Sequence, residues 1–208
     1  MSSLKYNHSR SRKLFVMPIV HTETDMGELG DSVKSAYLKK MGLQAWKRKK
    51  ELINRFWSDL EKVVLELDIP YMKTKLYQDG LPVCEDGREI QIIEQLASSG
   101  SLNHLLLKRL IEKGAKAVGT ESPELLMMEY NLALRTLDAS GDSIKGDNLE
   151  MQSGEILRRR DAFIAERING TLELGETGIL FVGSLHNVIP MLDPDIDVVS
   201  LMKPLASS

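Results

Sequence analysis

Short apolar runs separated by longer amphipathic stretches dominate the hydrophobic pattern of this chain. The run from Leu14 to Val20 is interrupted only by Pro18, which is typical of a strand buried on both faces. A second run of the same kind extends from Ile179 to Val182. Shorter segments complete a predicted set of five strands: Leu76–Tyr77, Lys116–Val118 and an edge strand, Ile196–Leu201.

Apolar residues at helical spacing predict helices between these strands. The stretch 31–66 carries one apolar stripe with three- and four-residue steps, and Gly42 divides or kinks it. The polar segment Asp138–Ser153 is predicted to be a loop. Further helices are predicted over Glu89–Ala97 and Gly154–Leu174. Two more helices are predicted from their N-caps: one starts at Ser101 and ends at Gly114, and the other starts at Ser122 with Pro123 in its first turn.

Strands that alternate with helices predict an α/β fold with a mostly parallel central sheet and helices on both faces. The chain has 208 residues, so 1–208 is interpreted as a single α/β domain. Within it, 1–13 is expected to be a loose N-terminal tail and 31–66 a helical segment. Ligands of such sheets gather beyond the C-terminal ends of the strands, which directs attention to the residues that follow each strand.

Composition narrows the class of protein. The net charge of −3 argues against nucleic acid as a partner, and the basic stretch Lys39–Lys50 is interpreted as a solvated helix face with Trp46 turned inward. No apolar run approaches the ~20 residues of a membrane span, and no secretory signal is recognised. The single cysteine, Cys84, has no partner for an internal disulfide. We therefore expect a cytoplasmic protein that binds neither membrane nor nucleic acid.

Imidazole and carboxylate side chains follow the C-terminal ends of several predicted strands. His21, Glu23 and Asp25 come after the first strand, Glu121 after the third, and His186 after the fourth. Adjacent parallel strands would bring these groups to one edge of the sheet, where the fold predicts a site.

Two more residues bear on this site. Arg160 lies in the helix before the fourth strand, and this helix runs antiparallel to the strand, so its N-terminal part approaches the edge that carries His186. Asp79, in an Asp-Gly pair, is interpreted as a turn residue.

The residue types allow two chemistries that their spacing does not separate. Imidazole nitrogens and carboxylate oxygens would bind zinc, manganese or iron and leave a coordination position open for water. Without a metal, one histidine would act as a general base held by a carboxylate, and Arg160 would stabilise negative charge on the substrate.

The segment RRRDAFIAERINGTLELGETGILFVGSLHNV, residues 158–188, resembles the C-terminal signature of the TraB/TIKI superfamily. That signature is an arginine followed by Asn or Asp, an amphipathic helix, an apolar strand and then Gly-x-x-His. Arg160-Asp161 matches the first element, and Gly183-Ser184-Leu185-His186 matches the last. Pro18-Ile19-Val20-His21 occupies the place of the family's N-terminal Gly-x-x-His, with proline where the family has glycine.

The resemblance implies an α/β sandwich related to erythromycin-esterase-like and ChaN-like proteins. Members include metal-dependent proteases, esterases and haem binders, so the resemblance indicates the position of the site better than its reaction. It implies that a glutamate from a later strand joins the two histidines; Glu121 is the first choice and Glu66 the second. The implied metal ligands are His21, Glu121 and His186.

Two classes of function follow. The first is a hydrolase of a small-molecule or peptide substrate, with or without a divalent metal, with Asp138–Ser153 acting as a lid. Its catalytic residues would be His21, Glu23, Asp25, Glu121, Arg160 and His186. The second is a non-catalytic module that binds a small ligand or a metal and assembles through its helices, for example as a symmetric homodimer.

Overall fold

The computed structural model describes residues 11–26, 29–138 and 143–201, and a five-stranded sheet forms its centre. The strands lie in the order β3-β2-β4-β1-β5, and every hydrogen-bonded pair is parallel. This arrangement confirms the predicted α/β class and places the fifth strand at an edge. The strands are β1 (Arg12–Ile19), β2 (Thr74–Gln78), β3 (Lys116–Val118), β4 (Thr177–Gly183) and β5 (Ile196–Ser200).

Helices connect the strands as the alternating pattern predicts. Two predicted caps are confirmed: the Ser101 hydroxyl accepts the backbone N–H of His104 at 3.2 Å, and the Ser122 hydroxyl accepts that of Leu125 at 3.4 Å. The α-helices of the described residues are α1 (Leu29–Leu65), α2 (Glu89–Ser98), α3 (Leu102–Glu112), α4 (Pro123–Asp138) and α5 (Ser143–Thr171). Short 3-10 turns lie at Thr24–Met26, Tyr71–Lys73 and Ile189–Met191.

The central strands are buried on both faces because helices cover both sides of the sheet. Residues of β1 alternate, so that Phe15 and Met17 pack against α1, α2 and α3, whereas Leu14 and Val16 pack against α5. A strand covered on both faces needs apolar residues at consecutive positions, which accounts for the unbroken run that marked it in the sequence.

Helix α1 bends at Gly42, where φ is 80° and ψ is 169°. A positive φ is unfavourable for residues with a Cβ, so glycine is the residue suited to this position. The predicted kink is therefore confirmed, as is the inward orientation of Trp46, which is 6% exposed. The basic residues beside it, Lys47 and Arg48, are exposed.

The predicted loop Asp138–Ser153 is wrong from Ser143 onward, because α5 begins there and runs without a break to Thr171. Residues 148–155 are exposed with one exception, so this part of the helix needs no apolar stripe, and the periodicity used for prediction is missing. Residues 139–142 lie outside the described part of the chain.

The length of α5 explains this exposure. At ~1.5 Å per residue its 29 residues extend about 43 Å, whereas the seven residues of β4 extend about 23 Å. The last turn of α5 is fixed beside the start of β1, since Arg12 donates to the Asn169 carbonyl at 2.7 Å. The first turns of α5 must therefore extend past the C-terminal edge of the sheet.

The predicted loose tail, 1–13, extends too far, because Arg12 and Lys13 belong to β1. Arg12 is buried and ion-paired with Asp193 at 2.8 Å and with Asp195 at 2.5 Å, which fixes the start of the strand. Residues 1–10 lie outside the described part of the chain. Within the described ranges, no helix combines the length and the apolar character needed to cross a bilayer.

Candidate functional site

A cluster of charged side chains lies at the C-terminal edge of the sheet. His21 follows β1, Asp79 follows β2, Glu121 follows β3, and His186 follows β4. Hydrogen bonds of Asp79 and Arg160 connect His21, Asp79 and Glu121, and His186 is in ion-pair contact with Asp79, so strand-end residues do gather at one edge as predicted.

Asp79 is the centre of the cluster. Its Oδ2 atom lies 3.1 Å from His21 Nε2 and 3.3 Å from His186 Nε2, and it accepts the backbone N–H of Gly183 at 3.0 Å. Asp79 and Gly80 do form the predicted turn, with φ of Gly80 at 83°. The sequence places Asp79 after the second strand, at the predicted edge, but favours a turn role for it, whereas in the structure its side chain also contacts both histidines.

Glu121 is placed by an extension of the sheet beyond the end of β2. It forms a parallel bridge with Pro82, accepts the N–H of Val83 at 2.9 Å and donates its own N–H to the Leu81 carbonyl at 3.0 Å. Its carboxylate is fully buried and faces Arg160. The alternative residue, Glu66, is exposed after the end of α1, so of the two glutamates the site contains Glu121.

Arg160 connects the carboxylates of the cluster. Its Nη2 donates to Asp79 Oδ1 and to Glu121 Oε1, each at 2.6 Å, and its Nη1 donates to Glu129 Oε2 at 2.6 Å. The side chain is 5% exposed, so in this structure the guanidinium binds the protein's own carboxylates. Arg160 lies in α5, which begins at Ser143 and not at the predicted Gly154.

His186 is held by the residue next to Arg160. Its Nδ1 lies 2.6 Å from Asp161 Oδ1, and the other carboxylate oxygen of Asp161 accepts the backbone N–H of Asn187 at 3.0 Å. An Nδ1–H that donates to a carboxylate fixes the ring orientation and leaves Nε2 facing Asp79. The Arg160-Asp161 pair thus contributes to the site through both of its side chains.

The histidines and Asp79 perturb one another's protonation. Burial alone would lower the pKa of each imidazole, but the hydrogen bond and charge of Asp79 outweigh it, so the pKa of His21 and that of His186 both lie above the ordinary value. Burial would raise the pKa of Asp79, and its bonds from His186 and His21 instead hold it well below the usual range. For Glu121, burial outweighs Arg160 and raises the pKa.

Formal charges show that the cluster needs an added positive charge. With both imidazoles neutral and the carboxylates ionised, the buried Asp79, Glu121 and Asp161 and the half-exposed Glu129 oppose one guanidinium, that of Arg160, which leaves a net charge of −3. A neutral imidazole that turned its Nε2 lone pair toward Asp79 Oδ2 at these distances would also be repelled. Either protons on the histidines or a bound cation would offset the excess negative charge and remove the repulsion between the lone pairs and Asp79.

A group of three residues meets the spacing of metal ligands. Among the described residues, Asp79, Glu121 and His186 offer ligand atoms that all lie within 4.8 Å of one another. Two of these belong to the predicted set, and Asp79 stands in the place predicted for His21.

His21 differs from His186 in its exposure. The His21 side chain is 34% exposed, whereas that of His186 is 5% exposed. His21 also lines an open cavity of about 230 Å³ formed by the loop after β1 and by α1. Of the four strand-end residues, it is the one at this cavity.

Two predicted site residues lie outside the cluster. Glu23 is in the cavity wall, 3.5 Å from Lys34 Nζ and 3.9 Å from Lys50 Nζ. Asp25 turns the other way and accepts the N–H of Thr22 at 2.6 Å. Its second oxygen accepts the Ser101 hydroxyl.

Three carboxylates of the network were missed or given another role by sequence reasoning. Asp79 carries a turn signal that hides its second role, and Asp161 entered only as part of a motif. Glu129 lies in α4 and reaches Arg160 through its half-exposed side chain. Its position eleven residues after the end of β3 gives no strand-end signal, so only the packing of α4 on α5 reveals it.

Gly183 has a steric role that explains the glycine of Gly183-x-x-His186. A Cβ at this position would lie 3.0 Å from Asp79 Oδ2 and 3.6 Å from atoms of His186 and His21. Pro18 replaces this glycine in the first of the two motifs. It pairs with Val182 of β4 on one side, but the pairing of β1 with β5 on the other side ends earlier, at Val16. A proline is tolerated where one side of a strand has no ladder partner.

Comparison of the chain with protein-family models, with curated proteins and with solved structures finds no match in any of the three. The resemblance to the TraB/TIKI superfamily therefore depends on the quoted residues alone. What the site does must be argued from its geometry.

Proposed function

We propose that this protein is a hydrolase in which His21 acts as the general base at the C-terminal edge of the sheet. One observation carries the proposal: His21 Nε2 is held 3.1 Å from Asp79 Oδ2 while the ring lines an open cavity. Buried histidines are commonly structural, but an imidazole fixed by a carboxylate and open to a cavity has the arrangement of a catalytic base.

The chemistry assigned to His21 follows from its hydrogen bond. When Nε2–H donates to Asp79, the Nδ1 lone pair is free to remove a proton from a water molecule. The water oxygen then bonds to the acyl carbon of the substrate, and the proton passes from His21 to the leaving oxygen or nitrogen as the acyl bond breaks. The hydrogen bond and charge of Asp79 outweigh burial and raise the pKa of His21, which makes the ring a stronger base, and it acts as a base at pH values where it is unprotonated.

The buried part of the cluster keeps Asp79 ionised so that it can orient His21. Arg160 and the Gly183 N–H both donate to the Asp79 carboxylate, and the ring of His186, held by Asp161, lies 3.3 Å from it. We assign Arg160, His186 and Glu121 to positioning, because their side chains are buried among protein groups. The site would thus resemble a carboxylate–histidine dyad supported by a charged layer beneath it.

A second candidate is a metal-dependent version of the same hydrolase. Asp79, Glu121 and His186 have the donor types that zinc, manganese or iron accept, and the Asp161–His186 contact matches the usual outer support of a histidine ligand. A metal there would supply Lewis acidity and an activated water. Arg160 already binds Asp79 Oδ1 and Glu121, however, and its charge opposes a cation at this place. The metal-free version therefore stands first.

Substrate class and location complete the proposal. The link to ester or amide hydrolysis comes from the resemblance to the TraB/TIKI superfamily, and a small-molecule or peptide substrate is proposed on the same basis. A cytoplasmic location is proposed because Cys84 is free and the chain has no second cysteine.

The test is a screen of small esters, amides and phosphoesters with purified protein, with and without chelator. Hydrolysis is expected to survive chelation and to disappear in His21→Gln, a change made at a partly exposed position. Glu66→Gln, at the exposed alternative glutamate, is the matched control and should retain full activity. Activity that requires stoichiometric metal would favour the second candidate. Full activity in His21→Gln would contradict the role of His21 as the base. If the unchanged protein hydrolyses none of the substrates, the remaining candidate is a non-catalytic binding module.

A further inference from the structure

The cavity beside His21 has a composition that selects a particular kind of ligand. It is open, measures about 230 Å³, and lies between the loop after β1 and the helix α1. Its apolar wall includes Val33, Trp46 and Ile53, and its polar wall includes Glu23, Lys49 and Lys50. None of the lysines was a predicted site residue.

Lys49 is the cation of this cavity that has no counter-ion among the described residues. Its Nζ lies 4.7 Å from the centroid of the Tyr37 ring and 5.6 Å from a ring centroid of Trp46, so two aromatic faces hold it in place. The side chain is half-buried, and no carboxylate of the described residues lies within ion-pair distance of it. A held, partly desolvated ammonium without an anion is a binding group for a ligand anion.

The remaining charges of the cavity do not cancel that of Lys49. Glu23 is shared by Lys34 at 3.5 Å and Lys50 at 3.9 Å, so one carboxylate faces two other ammonium groups. The described residues that line the cavity therefore carry one negative charge, on Glu23, and two positive charges, on Lys49 and Lys50, when His21 is neutral.

We propose that this cavity binds a small organic anion, a carboxylate or phosphate on a short apolar group, with the anion on Lys49 and the apolar part against Trp46. As an assignment of substrate class, the inference rests on the proposed function, because it takes His21 in the same cavity as the reacting group. The volume lies below the ~300 Å³ at which sites for drug-sized ligands begin, and a sphere of that volume is about 8 Å across. Lys49 and His21 line the same cavity, so a ligand bound to Lys49 lies in the space that His21 faces.

The experiment is a titration of the labelled protein with butyrate, monobutyl phosphate and the neutral butyramide, followed by amide shifts in two-dimensional NMR. Both anions are expected to shift residues of the cavity, the tighter of the two identifying the preferred anion, and butyramide is expected to bind at least about tenfold more weakly. Lys49→Met should weaken anion binding to the butyramide level, and Lys49→Arg should retain it. Lys47→Met, on the exposed side of the same helix turn, is the matched control and should change nothing.

These outcomes separate the inference from the proposed function. Anion binding by the unchanged protein, together with no hydrolysis of any substrate screened, would support the cavity and contradict the hydrolase. Equal binding of butyramide and butyrate, or unchanged binding in Lys49→Met, would overturn the inference and leave any hydrolysis to be explained by another substrate class. Absence of shifts with both anions would overturn it as well.

Discussion

Raising the pH of metal-free protein above neutrality is expected to reduce its stability. His21 and His186 both face Asp79, and the pKa of each is raised in the folded chain. An unfolded histidine titrates near its ordinary value of about 6.5. Above that pH the folded protein therefore binds more protons than the unfolded chain, and the free energy of unfolding falls as pH rises through the folded pKa values.

The size of the effect follows from proton linkage. Each histidine that stays protonated only in the folded state changes the free energy of unfolding by about 1.4 kcal/mol per pH unit. His186 is 5% exposed and should approach this slope, whereas His21 is a third exposed and solvent screening reduces its share. Glu121, whose pKa burial raises, acts with the same sign.

The assay is urea unfolding followed by circular dichroism at half-unit steps from pH 6 to 8.5, in chelator at constant ionic strength. His186→Gln removes one titrating ring and should flatten the curve by up to about 1.4 kcal/mol per pH unit. Glu66→Gln should reproduce the slope of the unchanged protein. NMR titration of the ring protons would assign the transitions to individual histidines.

Stability that stays constant or rises between pH 6.5 and 8.5 would refute the reasoning, because it would mean that the imidazoles face Asp79 unprotonated. Protons on the histidines and a bound metal ion, the two candidates for the missing positive charge, also predict opposite changes of stability with rising pH. Ligands must lose protons to bind a metal, so stabilisation by added zinc would grow as pH rises.

Three more predictions test the supports of the site. Gly183→Ala should cost about 1–3 kcal/mol and abolish activity, because its Cβ would crowd Asp79, while Gly154→Ala, with open space around it, should be neutral or stabilising in the same melts. Asp25→Asn should cost about 2 kcal/mol at pH 7, because the pKa of Asp25 is lowered to about 2 in the folded chain. This contribution is complete above pH ~4 and disappears as the pH falls toward 2, so the stabilities of variant and parent should converge there in acid unfolding. Arg160→Met should cost about 3–5 kcal/mol in urea because it leaves buried carboxylates unpaired, and a smaller loss at neutral pH would contradict their ionisation.

The sheet and the location of the site could be predicted from the sequence because both depend on local signals. Burial on both faces demands consecutive apolar residues, so β1 and β4 are visible as runs. Parallel pairing then brings His21, Glu121 and His186 together without any knowledge of the loops. Local caps at Ser101 and Ser122 were visible for the same reason.

The parts that escaped prediction depend on contacts between distant residues. Asp79 satisfies a turn locally, and its bonds to His21 and Arg160 span 58 and 81 residues of sequence. Glu129 reaches Arg160 from a different helix. The start of α5 is exposed, so it lacks the apolar stripe from which helices are recognised.

The order of the strands has a consequence for how the chain acquires its structure during synthesis. Both neighbours of β1 are translated late, since Lys13 pairs with Thr177 and Asp197. At about 5–20 residues per second, a ribosome needs roughly 10–30 seconds to make the intervening segment. Throughout that interval the Leu14–Val20 run has no strand beside it and is a natural target for chaperones or for aggregation.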